Sequence, residues 1–224
     1  MIDSARQAAV SVKDMSKRYG QRWALARLNV DIPAGRAVLL TGENGAGKTT
    51  LLRIIATAMR PTHGRLILFG QEAFSALETV RPRVGLITHQ SYLYDDLSAR
   101  ENLQLAQRLT GEVNAEFREH ALESVGLRPH ADRPVRTFSA GMKRRLCVAR
   151  MLLRQPDIVL FDEPFGQLDP AGVTLMEHVI RTLRENGRTL VIATHDIDRG
   201  RTLCDRHLAL HAGRIARPLE PIDP

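Results

Sequence analysis

Short runs that are apolar at nearly every position punctuate this chain, alternating with segments whose apolar residues recur every three or four positions. Runs of the first kind are "RAVLLTG" (36–42), "RVGLITHQ" (83–90), "DIVLFD" (157–162) and "RTLVIAT" (188–194), the pattern of strands covered on both faces. "AVSVKDMSKRY" (9–19), "ALARLNVDI" (24–32) and "RLILFG" (65–70) read as further strands, the last following a Pro-Thr-His-Gly turn at 61–64. Helical spacing runs through "KTTLLRIIATAM" (48–59), through "SARENLQLAQRLT" and "NAEFREHALESVGL" with caps at Ser98 and Asn114, and through "AGVTLMEHVIRTLREN", which ends near Gly187. The outline is an α/β core interrupted from Ser98 to about Arg154 by helices, without internal repeats.

One of those helices stands out. In "TFSAGMKRRLCVAR", Ser139 is placed to cap a basic helix whose apolar face is Met142, Leu146, Ala149 and Leu153. Free backbone N–H groups at such an amino end favour an anion, although a capping serine alone identifies none.

Composition narrows the class. The 224 residues, 43% of them hydrophobic, suffice for a well-cored domain. No apolar run reaches the roughly 18–20 residues that span a bilayer, and "MIDSARQAAV" lacks a signal-peptide core, so the chain is expected in the cytosol. Cys147 and Cys204 have no metal spacing and read as buried free thiols. The net charge of +7 rests on arginines and only four lysines, and aromatics make up 4%, which leaves little on which to stack single-stranded bases. No specific nucleic-acid partner is expected.

Chemistry enters with "LLTGENGAGKTTLL": Gly42, four residues, then Gly47-Lys48-Thr49 between a strand and a helix. Glycines let backbone amides curl around phosphate oxygens, Lys48 brings positive charge to the β and γ phosphates, and the Thr49 hydroxyl is suited to magnesium. "DIVLFDEP" places Asp162 and Glu163 at the carboxyl end of a buried strand, where parallel sheets hold ligands. Asp162 can hold magnesium through water while Glu163 faces the γ-phosphate. At two other strand ends, His195 is a candidate for the γ-phosphate or attacking water and Gln90 for magnesium or water. Tyr19, before Gly20, offers a ring for adenine.

Taken in order, Tyr19, the Gly42–Thr49 loop, Gln90, Ser139-Ala140-Gly141, Asp162-Glu163, Leu168-Asp169 and His195 resemble the nucleotide-binding subunit of an ATP-binding cassette (ABC) transporter, over nearly the whole chain. The resemblance implies a P-loop NTPase (RecA-like) α/β fold with a parallel sheet and an antiparallel β lobe at 1–89 and 155–224, and an inserted α-helical lobe at 90–154 bearing the signature. It implies ATP and Mg2+ as cofactors. Nucleotide contacts would come from Tyr19, Gly42, Asn44, Gly45, Ala46, Gly47, Lys48, Thr49, Thr50, Gln90, Ser139, Gly141 and Asp169. Thr49, Gln90 and Asp162 would serve the metal, and Glu163, His195 and Lys48 catalysis. It further implies a head-to-tail homodimer with two ATPs between the copies, Ser139 and Gly141 of one facing the γ-phosphate of the other, and a place at the inner face of the membrane against separate permease subunits.

Ala140 and Met142 depart from the family's Leu-Ser-Gly-Gly-Gln, and the Cβ of Ala140 would be penalised at positive φ. "FGQLD" lacks the more frequent serine of that loop. Tyr92, Leu93 and Tyr94 either form an apolar floor for a permease helix or pack on their own lobe. Within the family, "THQ", "SAGMKRR" and "DEPF" with "GQLD" are similar to the ATPase of the haem exporter used in cytochrome c maturation. A multidrug-type export ATPase is the alternative inside the family. A soluble ABC ATPase acting on DNA, or a nucleotide-binding scaffold, is the alternative outside transport.

Overall fold

The computed structural model describes residues 8–88, 90–111 and 113–222. His89, the middle of "THQ", and the first seven residues of the amino-terminal segment lie outside them. Two long strands, β1 (Ala8–Tyr19) and β2 (Arg22–Pro33), open the fold, followed by β3 (Ala37–Thr41), helix α1 (Lys48–Ile55), β4 (His63–Leu68) and β5 (Gln71–Glu72). A short helix α2 (Leu77–Val80) leads into β6 (Val84–Ile87). Helices α3 (Ala99–Thr110), α4 (Ala115–Ser124) and α5 (Ala140–Leu152) come next, before β7 (Ile158–Asp162), α6 (Pro170–Glu185) and β8 (Thr189–Ala193). Helix α7 (Ile197–Leu203) and a hairpin of β9 (Arg206–His211) and β10 (Arg214–Pro221) complete it.

The apolar runs become the centre of a six-stranded sheet in the order β10-β9-β3-β8-β7-β6, parallel except for the β9–β10 hairpin. Strands β3, β7 and β8 are buried at every position. Because successive side chains point to opposite faces, Leu39, Val159, Phe161, Leu190 and Ile192 join the core beneath α3 to α6. Val38, Leu40, Ile158, Leu160, Val191 and Ala193 face α1 and the second sheet. That second sheet, β2-β1-β4-β5, is antiparallel throughout. The helices inserted between β6 and β7 have no separate core: Leu103, Leu122, Leu146 and Val148 belong to the same apolar cluster as Phe161 and Ile192.

Local chemistry sets the helix ends. Ser98 accepts a hydrogen bond from Glu101 N at 3.2 Å while the Glu101 carboxylate accepts one from Ser98 N at 2.7 Å, a capping box. Asn114 Oδ1 accepts from Phe117 N at 3.0 Å and Ser139 Oγ from Met142 N at 3.2 Å, as the sequence predicts. Helix α1 stops at Ile55 rather than running to Met59, because Thr57 takes a left-handed φ of 55° and Ala58 N bonds back to Arg53 O at 2.9 Å. Periodicity in the sequence gives no sign of α7, β9 or β10: α7 has seven residues, and β10 is largely exposed along its length. The irregular chain from 90 to 97 is held by the buried Asn102, whose amide bonds Tyr94 N and the carbonyls of Tyr94, Leu97 and Ser98.

Phe161 is fully buried in the middle of the central sheet. Phe161→Ala is expected to lower unfolding stability by about 3–5 kcal/mol; urea denaturation followed by circular dichroism measures it, and a change below about 1 kcal/mol would contradict this packing.

Candidate active site

The loop from β3 to α1 exists only with glycine at two of its turns. Gly42 sits at φ 145°, where a side chain would collide with the Leu210 carbonyl. Gly47 sits at φ 104°, where a Cβ would lie 2.6 Å from the Ala24 carbonyl and from the Leu25 side chain. This left-handed residue opens α1, and no side chain caps it, so the amides of the first helical turn point into the loop as anion donors. The Lys48 ammonium lies in the same concavity, donating to Gly42 O at 2.6 Å and Glu43 O at 3.2 Å.

Opposite the loop, β7 delivers two carboxylates. Asp162 is buried and accepts a hydrogen bond from the Thr49 hydroxyl at 3.2 Å. Glu163 lies half-exposed with its Oε2 2.9 Å from His195 Nδ1. Its backbone is unusual, at φ 51°, with its N–H bonded to Ala193 O at 2.9 Å. A non-glycine residue held there is strained by about 1–3 kcal/mol and needs its surroundings to keep it in place.

Loop and carboxylates enclose a cavity of about 420 Å3, lined by Tyr19, Arg22, Ala24, Asn44, Gly45, Gly47, Lys48, Thr49, Thr50, Asp162 and Glu163. A hydroxyl and a carboxylate oxygen from Thr49 and Asp162 are the hard donors a magnesium ion accepts alongside phosphates. The glycine cradle fits a phosphate chain, since a side chain at Gly42 or Gly47 would collide with the Leu210 or Ala24 carbonyl and force the loop open. Tyr19 is half-exposed, with its hydroxyl 2.9 Å from Met59 Sδ and Lys17 Nζ 5.6 Å from the ring centre.

Other residues singled out from the sequence lie elsewhere. Ala46 is buried in the core beneath the loop. Gln90 lines a second cleft of about 350 Å3, with Thr88, Tyr92, Leu109, Cys147 and Arg150. Its side chain accepts from the Tyr92 hydroxyl and its N–H bonds Thr88 Oγ1 at 3.2 Å; in this arrangement it does not reach Thr49 and Asp162. Ser139 and Gly141 do not line the cavity either. Gly141 instead lies beside the loop carrying Gln167 and Leu168, and Asp169 caps α6 by accepting from Gly172 N at 2.9 Å. Ala140 is the first residue of α5 and has no positive φ, so its Cβ carries no penalty. Met142 packs against the core. Cys147 and Cys204 are free and buried; burial raises both thiols, Cys204 to about 12.

Two arginines complete the site without a motif to announce them. Arg22 is the cross-strand partner of Tyr19 across the turn at Gly20, and hairpin register is the signal that places it in the cavity. Arg144, on the signature helix, is buried and donates through Nη2 to Asp162 O at 3.0 Å and Glu163 O at 2.8 Å. Burial pulls its guanidinium below the usual arginine value, against the opposing effect of Cys147, Asp162 and Glu163. Its signal is helical spacing, since the buried Cys147, Val148 and Met151 follow at three, four and seven residues.

A parallel sheet with a glycine-rich phosphate loop at one strand end and an acidic pair at another defines a P-loop nucleotide-binding protein. The ABC transporter family model matches residues 25–166. A bacitracin transport ATP-binding protein of Bacillus licheniformis is 33% identical over 215 residues, 96% of this chain and 70% of that protein. A Nod factor export ATP-binding protein of Ralstonia nicotianae is 36% identical over 208 residues, 92% of this chain and 65% of that protein. A daunorubicin/doxorubicin resistance ATP-binding protein of Streptomyces peucetius is 34% identical over 210 residues, 92% of this chain and 64% of that protein. Among solved structures, a dimeric bacterial ABC transporter cassette superposes with a TM-score of 0.88 at 28% identity, over 96% of this chain and 99% of that one. A dimeric cassette in a post-hydrolysis state with ADP and Pi superposes at 0.86, also with 28% identity and over 96% of this chain and 99% of that one. The chain therefore belongs to the ABC transporter family, as an ATP-binding, ATP-hydrolysing cassette.

Gly47→Ala forces a methyl into the loop wall, whereas the Cβ position of Gly187 faces open space. Gly47→Ala is expected to weaken binding of a fluorescent ATP analogue by about tenfold or more, and Gly187→Ala to leave it unchanged. Equal affinities for the two variants would contradict the assignment of the loop.

Proposed function

We propose that this chain powers export through separate membrane subunits by closing, with a second copy, around ATP and reopening after hydrolysis. The observation that carries the reading is the gathering of Lys48, Thr49, Asp162, Glu163 and His195 at one sheet edge while Ser139 and Gly141 stand outside that cavity. A capped helix amino end that does not face its own phosphate loop is available to the phosphate held by another copy. ATP shared across such an interface favours the closed pair by mass action, and loss of the γ-phosphate releases it.

Within each composite site Lys48 holds the β and γ phosphates and Tyr19 stacks on adenine. Glu163 takes the proton of the attacking water, with His195, 2.9 Å away, orienting its carboxylate. Thr49 and Asp162 would hold a magnesium ion, which when bound would neutralise phosphate charge.

No helix among the described residues is long and apolar enough to cross a membrane; in line with the relatives named as transport and export ATP-binding proteins, the transport path is assigned to partner membrane subunits, with this chain on their cytoplasmic side. The cleft at Gln90 is the docking place: the exposed Tyr92 lines it, Tyr94 is exposed two residues on, and Leu93 packs on the core. The relatives named for bacitracin transport, Nod factor export and daunorubicin resistance favour an export ATPase of the multidrug type. Haem export is the second reading, supported by the wording of "SAGMKRR" and "DEPF". The longest described helix has 16 residues, too short for the coiled-coil arms of chromosome-associated ABC ATPases.

Glu163→Gln is expected to lower steady-state ATP hydrolysis by about 10² to 10⁴-fold with ATP affinity kept. Turnover near that of the unaltered chain would overturn Glu163 as the base. The ATP-loaded variant, captured from mildly solubilised native membranes, is expected to carry a polytopic permease; haem absorbance in that complex decides for the second reading, and recovery without any membrane protein would contradict transport.

A further inference from the structure

Helix α5 turns one of its basic residues inward. Arg144 is 8% exposed, on the same face as Cys147, Val148 and Met151, where a charged group needs most of its donors used; Nε finds no partner, and the two terminal nitrogens carry the bonds. Among the described residues no carboxylate pairs with it. Its partners are three main-chain carbonyls: Thr88 O, bonded to Nη1, and Asp162 O and Glu163 O, bonded to Nη2 at 3.0 and 2.8 Å.

Those two carbonyls belong to the peptide groups on either side of the Glu163 Cα. Rotation about φ or ψ of Glu163 would swing one of them away from the guanidinium, so a single nitrogen fixes the direction in which the Glu163 side chain leaves the backbone. The residue thus fixed is the one at φ 51°, a conformation that needs holding, and its carboxylate is the one 2.9 Å from His195. The third carbonyl belongs to Thr88, a residue that lines the cleft with Gln90 and Tyr92. One planar guanidinium therefore joins the signature helix, the wall of the cleft and the backbone of the acidic pair, a span that a lysine ammonium, lacking the rigid fork, does not reproduce.

We propose that Arg144 is a positioning residue for hydrolysis: it holds the Glu163 backbone in its strained conformation and ties that conformation to the chain segment at Thr88. The inference rests on Glu163 being the base. Displacement of the cleft wall changes the acceptor geometry at Arg144 and, through it, the aim of the Glu163 carboxylate. Nucleotide contacts made by the loop at 42–49 are untouched, so turnover and affinity separate.

The test compares Arg144→Met, Arg144→Lys and Glu163→Gln in the full chain, measuring kcat and KM for ATP and the dissociation constant of a fluorescent ATP analogue. Arg144→Met is expected to lower kcat about 10- to 100-fold, as for a reacting group misplaced by about 1 Å, with ATP affinity kept within about twofold. Arg144→Lys is expected to recover part of the loss. If Arg144→Met shows no cooperative unfolding, Arg144→Lys alone decides, by a kcat reduced several-fold at unchanged affinity. An unchanged kcat in the deciding variant beside an inactive Glu163→Gln would overturn the role of Arg144 and leave the base in place. A parallel fall of kcat and affinity would also overturn it, making Arg144 a folding residue. Full turnover by Glu163→Gln would remove the base and this proposal with it.

Discussion

Everything at the active site depends on the parallel pairing of three buried strands. Ala193 of β8 lies level with Leu40 of β3 on one side and with Asp162 of β7 on the other. In a parallel sheet all three strands therefore end at the same edge, and the residues that follow them, Gly42, Glu163 and His195, emerge side by side. A slip of one residue would exchange the two buried faces of β7 or β8 between layers and point Asp162 into the opposite one. Because both faces are filled by separate apolar clusters, that slip is prohibitively unfavourable. The chemistry thus inherits its precision from packing far larger in extent than the site.

Upon this rigid edge the fold sets residues that are individually unfavourable. Gly42 and Gly47 hold backbone angles that other residues avoid, and Glu163 holds one without the freedom of glycine. Asp162 and Lys48 are charged groups buried within the cavity wall. Each is tolerable because its polar atoms are bonded: Asp162 to the Thr49 hydroxyl, Lys48 to loop carbonyls, and the peptides around Glu163 to Ala193 and Arg144. Such sites concentrate strain where function requires a fixed geometry.

The legible parts of the sequence are those where one physical rule acts alone. Runs of four consecutive apolar residues give β3, β7 and β8, and Ser98, Asn114 and Ser139 cap the helices they precede. The phosphate loop announces itself because only glycine meets its backbone angles. Where tertiary contacts decide, the pattern falls silent. Helix α7 is too short for a period to register, and β10 shows no alternation because most of it faces solvent. "KRR" reads as a solvated basic face, yet Arg144 lies inside among backbone carbonyls. Gln90, the last residue of a predicted strand, is bonded through its side chain to Tyr92, which turns at φ 47°, and a strand pattern contains no trace of that turn.

The proposed sharing of each site between two copies is addressed directly by a mixing experiment. Lys48→Ala removes the phosphate charge from one chain, and Ser139→Arg blocks the signature helix of another; each variant alone should be inactive. Mixed, they form one intact composite site from the Lys48 of the second chain and the Ser139 of the first. Recovery of ATP hydrolysis that peaks near equal amounts of the two is the expected result. A mixture that stays inactive at every ratio, while each chain remains folded, would contradict a site shared between copies.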